Sequence, residues 1–192
     1  MGSYQLSFGC CYHIFQQGDH RQALFREDGD YHLFMDLFRK YLRPIVDLYA
    51  YCLLPTHLHL LFRVKDKRKI EYVYSESGML TWQITTFLAI FEKAVKGSGR
   101  GSESLFSEGT SRQIPPEREL LCKLIAYIHQ NPQIYGVVSD FHHWPYSSCF
   151  AYLRQDRRSL IAKDLLLDPR FQRKITELQE SFYVRENNWD YH

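Results

Sequence analysis

Two β-type runs, VDLYAYCLL at 46–54 and HLHLLFRV at 57–64, are separated only by Pro55 and Thr56. A join this tight makes them neighbouring antiparallel strands. The second run is apolar at nearly every non-histidine position, as a central strand would be. It begins His57-Leu58-His59, and residues i and i+2 of a strand project to one face, so both imidazoles point one way and Leu58 the other.

The remaining elements arrange themselves around that pair. Residues 5–16 read as a first strand, and the polar Q-G-D-H-R that follows as a turn. Apolar residues at three-to-four spacing predict helices over 29–42, closed by Pro44, and over 81–96. Residues 97–104 (GSGRGSES) form a flexible loop. A third helical pattern over 117–131 is expected to stop at Asn131, because the residue before a proline disfavours helical backbone. Residues 136–145 read as a loop, with short helices after it at 146–154 and 171–183. The order β-α-β-β-α, completed by a short strand expected at 104–106, predicts an α+β fold: a ferredoxin-like split β-α-β sandwich, an antiparallel sheet with helices on one face. One main domain is expected over 1–154, with 155–192 a helical accessory segment.

The 192 residues suit one domain. Aromatic residues make up 16%, enough for an aromatic core, a base-stacking surface, or both. The charge is nearly balanced, 24 Lys and Arg against 22 Asp and Glu, so a nucleic-acid partner would have to meet a local basic site. One basic run stands out, 63–69, with Arg63, Lys65, Lys67, Arg68 and Lys69 against Asp66. Five Cys without a C-x-x-C pair suggest reduced thiols. No apolar run reaches the roughly 18 residues of a membrane span. A cytoplasmic protein without a membrane partner is expected.

Further along the chain, Tyr127 and Asn131 stand four apart and share a helix face, setting a phenol beside an amide oxygen. Read together, L-P-T-H-L-H-L-L-F (54–62), Y-I-H-Q-N-P (127–132), G-V-V-S-D (136–140) and W-P-Y-S-S (144–148) resemble the single-tyrosine HUH transposases, and more closely their REP-associated tyrosine transposase branch. The opening Y-H-I-F-Q-Q-G-D-H-R-Q-A-L-F (12–25) fits the same family. Thr56 departs from the more usual Asn or Asp, and 132–136 replaces a more basic run.

The resemblance implies Tyr127 as nucleophile and His57, His59 and Asn131 as ligands of a divalent metal, Mg²⁺ or Mn²⁺. It implies a single-stranded DNA endonuclease and strand transferase acting on hairpin-bearing DNA, with a 5′-phosphotyrosine intermediate and a free 3′ hydroxyl. A monomer is the expected state and a homodimer the alternative. The basic run 63–69, with Arg21 and Arg100, is expected to meet DNA phosphates. The competing reading is a non-catalytic or domesticated single-stranded nucleic-acid-binding protein on the same fold.

Overall fold

A computed structural model describes residues 6–70, 77–97, 104–107 and 109–181. The chain runs β1 (Cys11–Gln17), α1 (Asp28–Tyr41), β2 (Val46–Leu53), β3 (His57–Val64), α2 (Ser77–Lys96), β4 (Thr110–Ile114), α3 (Arg118–Ile134), α4 (Cys149–Arg154), α5 (Lys163–Leu166) and α6 (Pro169–Glu180). The four strands form one antiparallel sheet in the order β2-β3-β1-β4, the expected ferredoxin-like arrangement. No helix among the described residues is long and apolar enough to cross a membrane.

Side-chain alternation gives the sheet two different faces. One carries Tyr12 and Ile14 of β1 with Leu58, Leu60 and Phe62 of β3, all buried. The helices α1 and α2 cover it and pack on each other through edge-to-face rings, Phe34 on Phe87 at 4.9 Å and Phe34 on Phe91 at 5.1 Å. Much of the aromatic excess is therefore core, at spacings where ring pairs attract beyond their buried area. A capping box starts α1, in which the Asp30 carboxylate accepts the Glu27 N–H. The other face carries His13, Phe15, His57 and His59, and α3 lies across it above β2, so helices flank both faces of the sheet rather than the one face expected. Ala50 and Cys52 of β2 pair with Leu61 and His59 on this face, and their small side chains let the helix backbone come close.

Two elements differ from expectation. The fourth strand is Thr110–Ile114 rather than 104–106; Phe106 makes only an isolated bridge to Gly18, and Leu105 and Phe106 are buried as plugs. An edge strand with polar TSRQI gives no hydrophobic alternation to read. The third helix also runs through Pro132 to Ile134. Proline lacks only the N–H that would reach the Ile128 carbonyl, and the helix continues until Gly136, whose φ of 67° suits a residue without a Cβ. There the Gly136 and Val137 N–H groups donate to the carbonyls of Gln133 and Pro132.

The segment after α3 closes the outer edge of β2. Leu53 N–H donates to the Tyr146 carbonyl, Ser148 N–H to the Tyr51 carbonyl, and the Trp144 indole N–H to the Leu53 carbonyl. Farther along the same edge, Ala162 N–H donates to the Leu48 carbonyl. The W-P-Y-S-S sequence is thus an edge cap. Beyond it, α6 packs on α3, started by Asp168, whose carboxylate accepts from the N–H groups of Arg170 and Phe171 and pairs with Arg118 of α3.

Candidate active site

The site is assembled where β3 begins. His57 and His59 share a face, their ring centroids 5.4 Å apart. Each is oriented by a neighbour. Thr56 Oγ1 lies 3.2 Å from His57 Nδ1, and His13 Nε2 lies 3.0 Å from His59 Nδ1, with the two rings stacked at 5.3 Å. A hydrogen bond on one ring nitrogen orients the ring and leaves the other nitrogen directed elsewhere. Phe15, which pairs with His59 in the sheet, leans its ring on both histidines at 5.7 and 5.1 Å.

From above, α3 presents Tyr127, Asn131 and Tyr135 at successive four-residue steps, one stripe because the helix continues through Pro132. The Tyr127 ring meets His59 edge-on at 5.8 Å, and the Tyr135 ring meets His57 at 4.4 Å. Tyr127 is buried at 4% exposure whereas Tyr135 is 45% exposed. The Asn131 amide interacts with the His59 ring and donates through Nδ2 to the Tyr127 carbonyl. The four residues singled out by sequence therefore meet at one place. His57 is held between Phe15 and Tyr135.

The electrostatics of this cluster are those of neutral donors. Burial, with His13 and His57 alongside, holds His59 well below the usual imidazole range, opposed by the Asn131 amide. His59 Nε2 and Asn131 Oδ1 are both buried without a hydrogen-bond partner. With Nδ2 already donating to Tyr127, Asn131 turns its acceptor oxygen toward the histidines. Buried polar atoms left unpaired cost about 1–3 kcal/mol each, and a cation bound by the neutral imidazole and the amide oxygen would satisfy both. No three His, Cys, Asp or Glu side chains converge on one point among the described residues. The available set is two imidazoles and one amide oxygen, a combination that fits a divalent ion with open positions.

His129, between Tyr127 and Asn131 in sequence, belongs to another cluster. It points away from the site and accepts at Nδ1 from Gln179 of α6 at 2.8 Å, placing its proton on Nε2, 2.7 Å from Ser148 Oγ. Ser148 in turn accepts the Tyr51 N–H and contacts the Tyr51 carbonyl. Burial first, then His142, push the His129 imidazole down to about 3. It is a neutral structural clamp and is turned away from any proton on Tyr127.

Sequence reasoning passed over His13, Phe15 and Tyr135. For the first two, the signal was available in the alternation of Y-H-I-F on a strand beside β3. The basic candidates are scattered. Arg63 stands about 13–20 Å farther along β3 than the histidines, at the strand's far end, where its guanidinium donates to the Gly9 carbonyl and Asp66. Lys65 is engaged by the Arg43 carbonyl, while Lys67, Arg68 and Lys69 form a short 3-10 turn beyond it. This run is not brought to the site. Arg21 ends the 3-10 turn after β1, at the sheet end that holds His57. Arg100 lies outside the described residues. Arg112 of β4, not anticipated, pairs with His13 and is exposed on the site's face.

No protein-family model matches the chain, and no curated protein matches it. Among solved structures, its fold is similar to that of a REP-associated tyrosine transposase bound to a REP hairpin, with a TM-score of 0.56 and 16% sequence identity over 83% of this chain and 90% of that one. Identity that low shows the fold alone. A bacterial tRNA(His) guanylyltransferase-like protein in complex with GTP aligns more loosely, at a TM-score of 0.46 and 9% identity over 70% of this chain and 68% of that one.

Proposed function

We propose that this chain is a divalent-metal-dependent DNA nicking and strand-transfer enzyme of the tyrosine transposase kind. The observation that carries the reading is the convergence of Tyr127 and Asn131 on His57 and His59, with two buried polar atoms, His59 Nε2 and Asn131 Oδ1, left without a hydrogen-bond partner. A fold likeness to a transposase that holds a REP hairpin supports it, and extends the proposed substrate to single-stranded DNA carrying a hairpin.

Mg²⁺ or Mn²⁺ held by His57, His59 and Asn131 would polarise the scissile phosphate and balance its added negative charge. The protein's own residues do the rest. Thr56 and His13 fix the two imidazoles, and Asn131 ties its amide to the helix turn that bears Tyr127. Tyr127 Oη attacks phosphorus, the bond from phosphorus to the 3′ oxygen breaks, and that oxygen leaves as a 3′ hydroxyl with the proton the phenol gives up. A phosphodiester has been exchanged for a phosphotyrosine, so a 3′ hydroxyl reverses the step and joins strands without ATP.

A denaturing gel after incubation with a hairpin-bearing single-stranded oligonucleotide tests the assignment. A covalent adduct is expected with Mn²⁺, absent with chelator, absent in Tyr127→Phe and retained in Tyr135→Phe. Loss in Tyr135→Phe alone would move the nucleophile to the exposed tyrosine beside His57. An adduct that survives both substitutions, or binding with no adduct in any condition, would favour a non-catalytic nucleic-acid-binding protein.

A further inference from the structure

Apart from the histidine site, a groove of about 920 Å³ lies between α1 and the segment that caps β2, and its walls include Arg39, Arg154, Arg157 and Arg158 together with Tyr146 and Phe150. The sequence run singled out for DNA lies elsewhere.

The charge here is only partly compensated. Asp36 is held by Arg39 and Asp28 by the Tyr146 hydroxyl. Asp156, the one carboxylate in the lining, accepts the backbone N–H of Arg158. Arg154 lies over the Phe150 ring at 5.1 Å. No carboxylate pairs with the guanidinium groups of Arg154, Arg157 or Arg158 among the described residues, and all three are exposed. In a chain of formal net charge +2, three free guanidinium groups in one concavity create a local positive field, and low-dielectric walls concentrate it. Arginine beside aromatic rings is the composition that meets a phosphate backbone and its bases together.

Position strengthens the case. The groove reaches Leu53 and Ser147, and Leu53 pairs with Leu58, the residue between the two histidines. It therefore runs along the β2 edge, from the Leu53 end, one strand away from the candidate active site, to Ile161, which bridges Leu48 farther along that strand. The basic run 63–69 lies beyond the far end of that edge, where Arg39 also borders a second pocket lined by Lys65 and Lys69.

We propose that this groove is a phosphate-backbone site for the DNA flanking the reacting nucleotide, holding the strand through Arg154, Arg157 and Arg158 without reading its sequence. The proposal rests on the DNA reading above but not on the identity of the nucleophile. Each phosphate contact contributes about 0.7–0.9 to the slope of log affinity against log salt, so three contacts make a slope change of about 2–3.

The test is fluorescence anisotropy of a labelled hairpin-bearing oligonucleotide between 50 and 200 mM salt, magnitudes chosen on the order of those where counterion release dominates. In the triple variant Arg154→Ala, Arg157→Ala, Arg158→Ala the slope is expected to fall by about 2–3, and the corresponding triple lysine variant is expected to keep most of it. Lys67→Ala, Arg68→Ala, Lys69→Ala should change it less. An alanine variant with the wild-type slope, or a larger loss from the 67–69 variant, overturns the proposal. Wild-type protein that binds no oligonucleotide overturns it together with the DNA reading. A salt slope that falls as expected in a protein forming no adduct leaves the groove standing and removes only the chemistry.

Discussion

His59 and His129 face opposite sides of the helix α3, and both are completely buried. Both imidazoles are held below their ordinary range chiefly by burial. They differ in what surrounds the nitrogens. Every polar atom of the His129 ring is engaged, by Gln179 on one side and Ser148 on the other, whereas His59 is bonded through Nδ1 alone and leaves Nε2 beside the unpaired Asn131 Oδ1. Burial and a depressed titration therefore do not mark a functional histidine. A buried ring nitrogen without a hydrogen-bond partner, close to an equally unpartnered amide oxygen, is the distinguishing feature, since folding seldom retains such a pair unless something else fills it.

The contrast can be broken most directly at His129. His129→Ala leaves Gln179 and Ser148 without their partner and opens a cavity, so a loss of about 3 kcal/mol is expected. Thermal denaturation should show a fall of roughly 6–12 °C, with the response to Mn²⁺ intact. Unchanged stability would mean that the His129 network is not a clamp.

At His59 the expected pattern reverses. Mn²⁺ at 100 times its dissociation constant should stabilise the wild-type protein by about 2.7 kcal/mol, and His59→Ala should remove that gain while costing the metal-free protein less than His129→Ala does. A metal response that survives in His59→Ala would erase the distinction.

Titration gives a smaller effect with a defined sign. His129 has a folded-state value of about 3, against roughly 6.5 when unfolded, so the unfolded chain binds the extra proton between those values. Its contribution is complete above about pH 6.5 and is lost at about 1.4 kcal/mol per unit as the pH falls toward 3. Urea denaturation at several pH values should show this slope, and His129→Gln should flatten it. The smallest change is expected from Thr56→Ala, about 0.5–1 kcal/mol, because His57 loses only one partly exposed hydrogen bond. Isothermal titration with Mn²⁺ would register it as a weaker affinity.

How much of this was legible in the sequence depends on the range of the interaction. The strand carrying the histidines begins at His57 and ends at Val64 as its apolar run does, and α1 lies within a residue of its periodicity. Local i,i+2 and i,i+4 rules put His57 with His59 and Tyr127 with Asn131 on shared faces, and the resemblance to a transposase family joined the two pairs into one site. Tyr135 was hidden by applying the proline rule at Asn131, when the chain tolerates one missing hydrogen bond and stops at Gly136 instead. The partners of His129 lie 19 and 50 residues away, and no local pattern announces them. The same holds for the arginine groove, which brings Arg39 of α1 beside a turn more than a hundred residues later. The basic run was conspicuous as composition, but strand direction carried it to the end of β3 away from the histidines.

The W-P-Y-S-S cap has a consequence for how copies of this protein behave toward one another. An uncovered outer strand offers its backbone to any neighbouring chain, and growth of a shared sheet is the usual path to aggregation and strand exchange. Here the edge at β2 has already given its hydrogen bonds at Tyr51 and Leu53 to its own chain. The edge at β4 is five residues long and shows Arg112 and Gln113 to solvent, a short charged margin that discourages pairing. Ser147 and Ser148, read from sequence as part of a family signature, thus act in crowded solution as stoppers that help keep the sheet four strands wide.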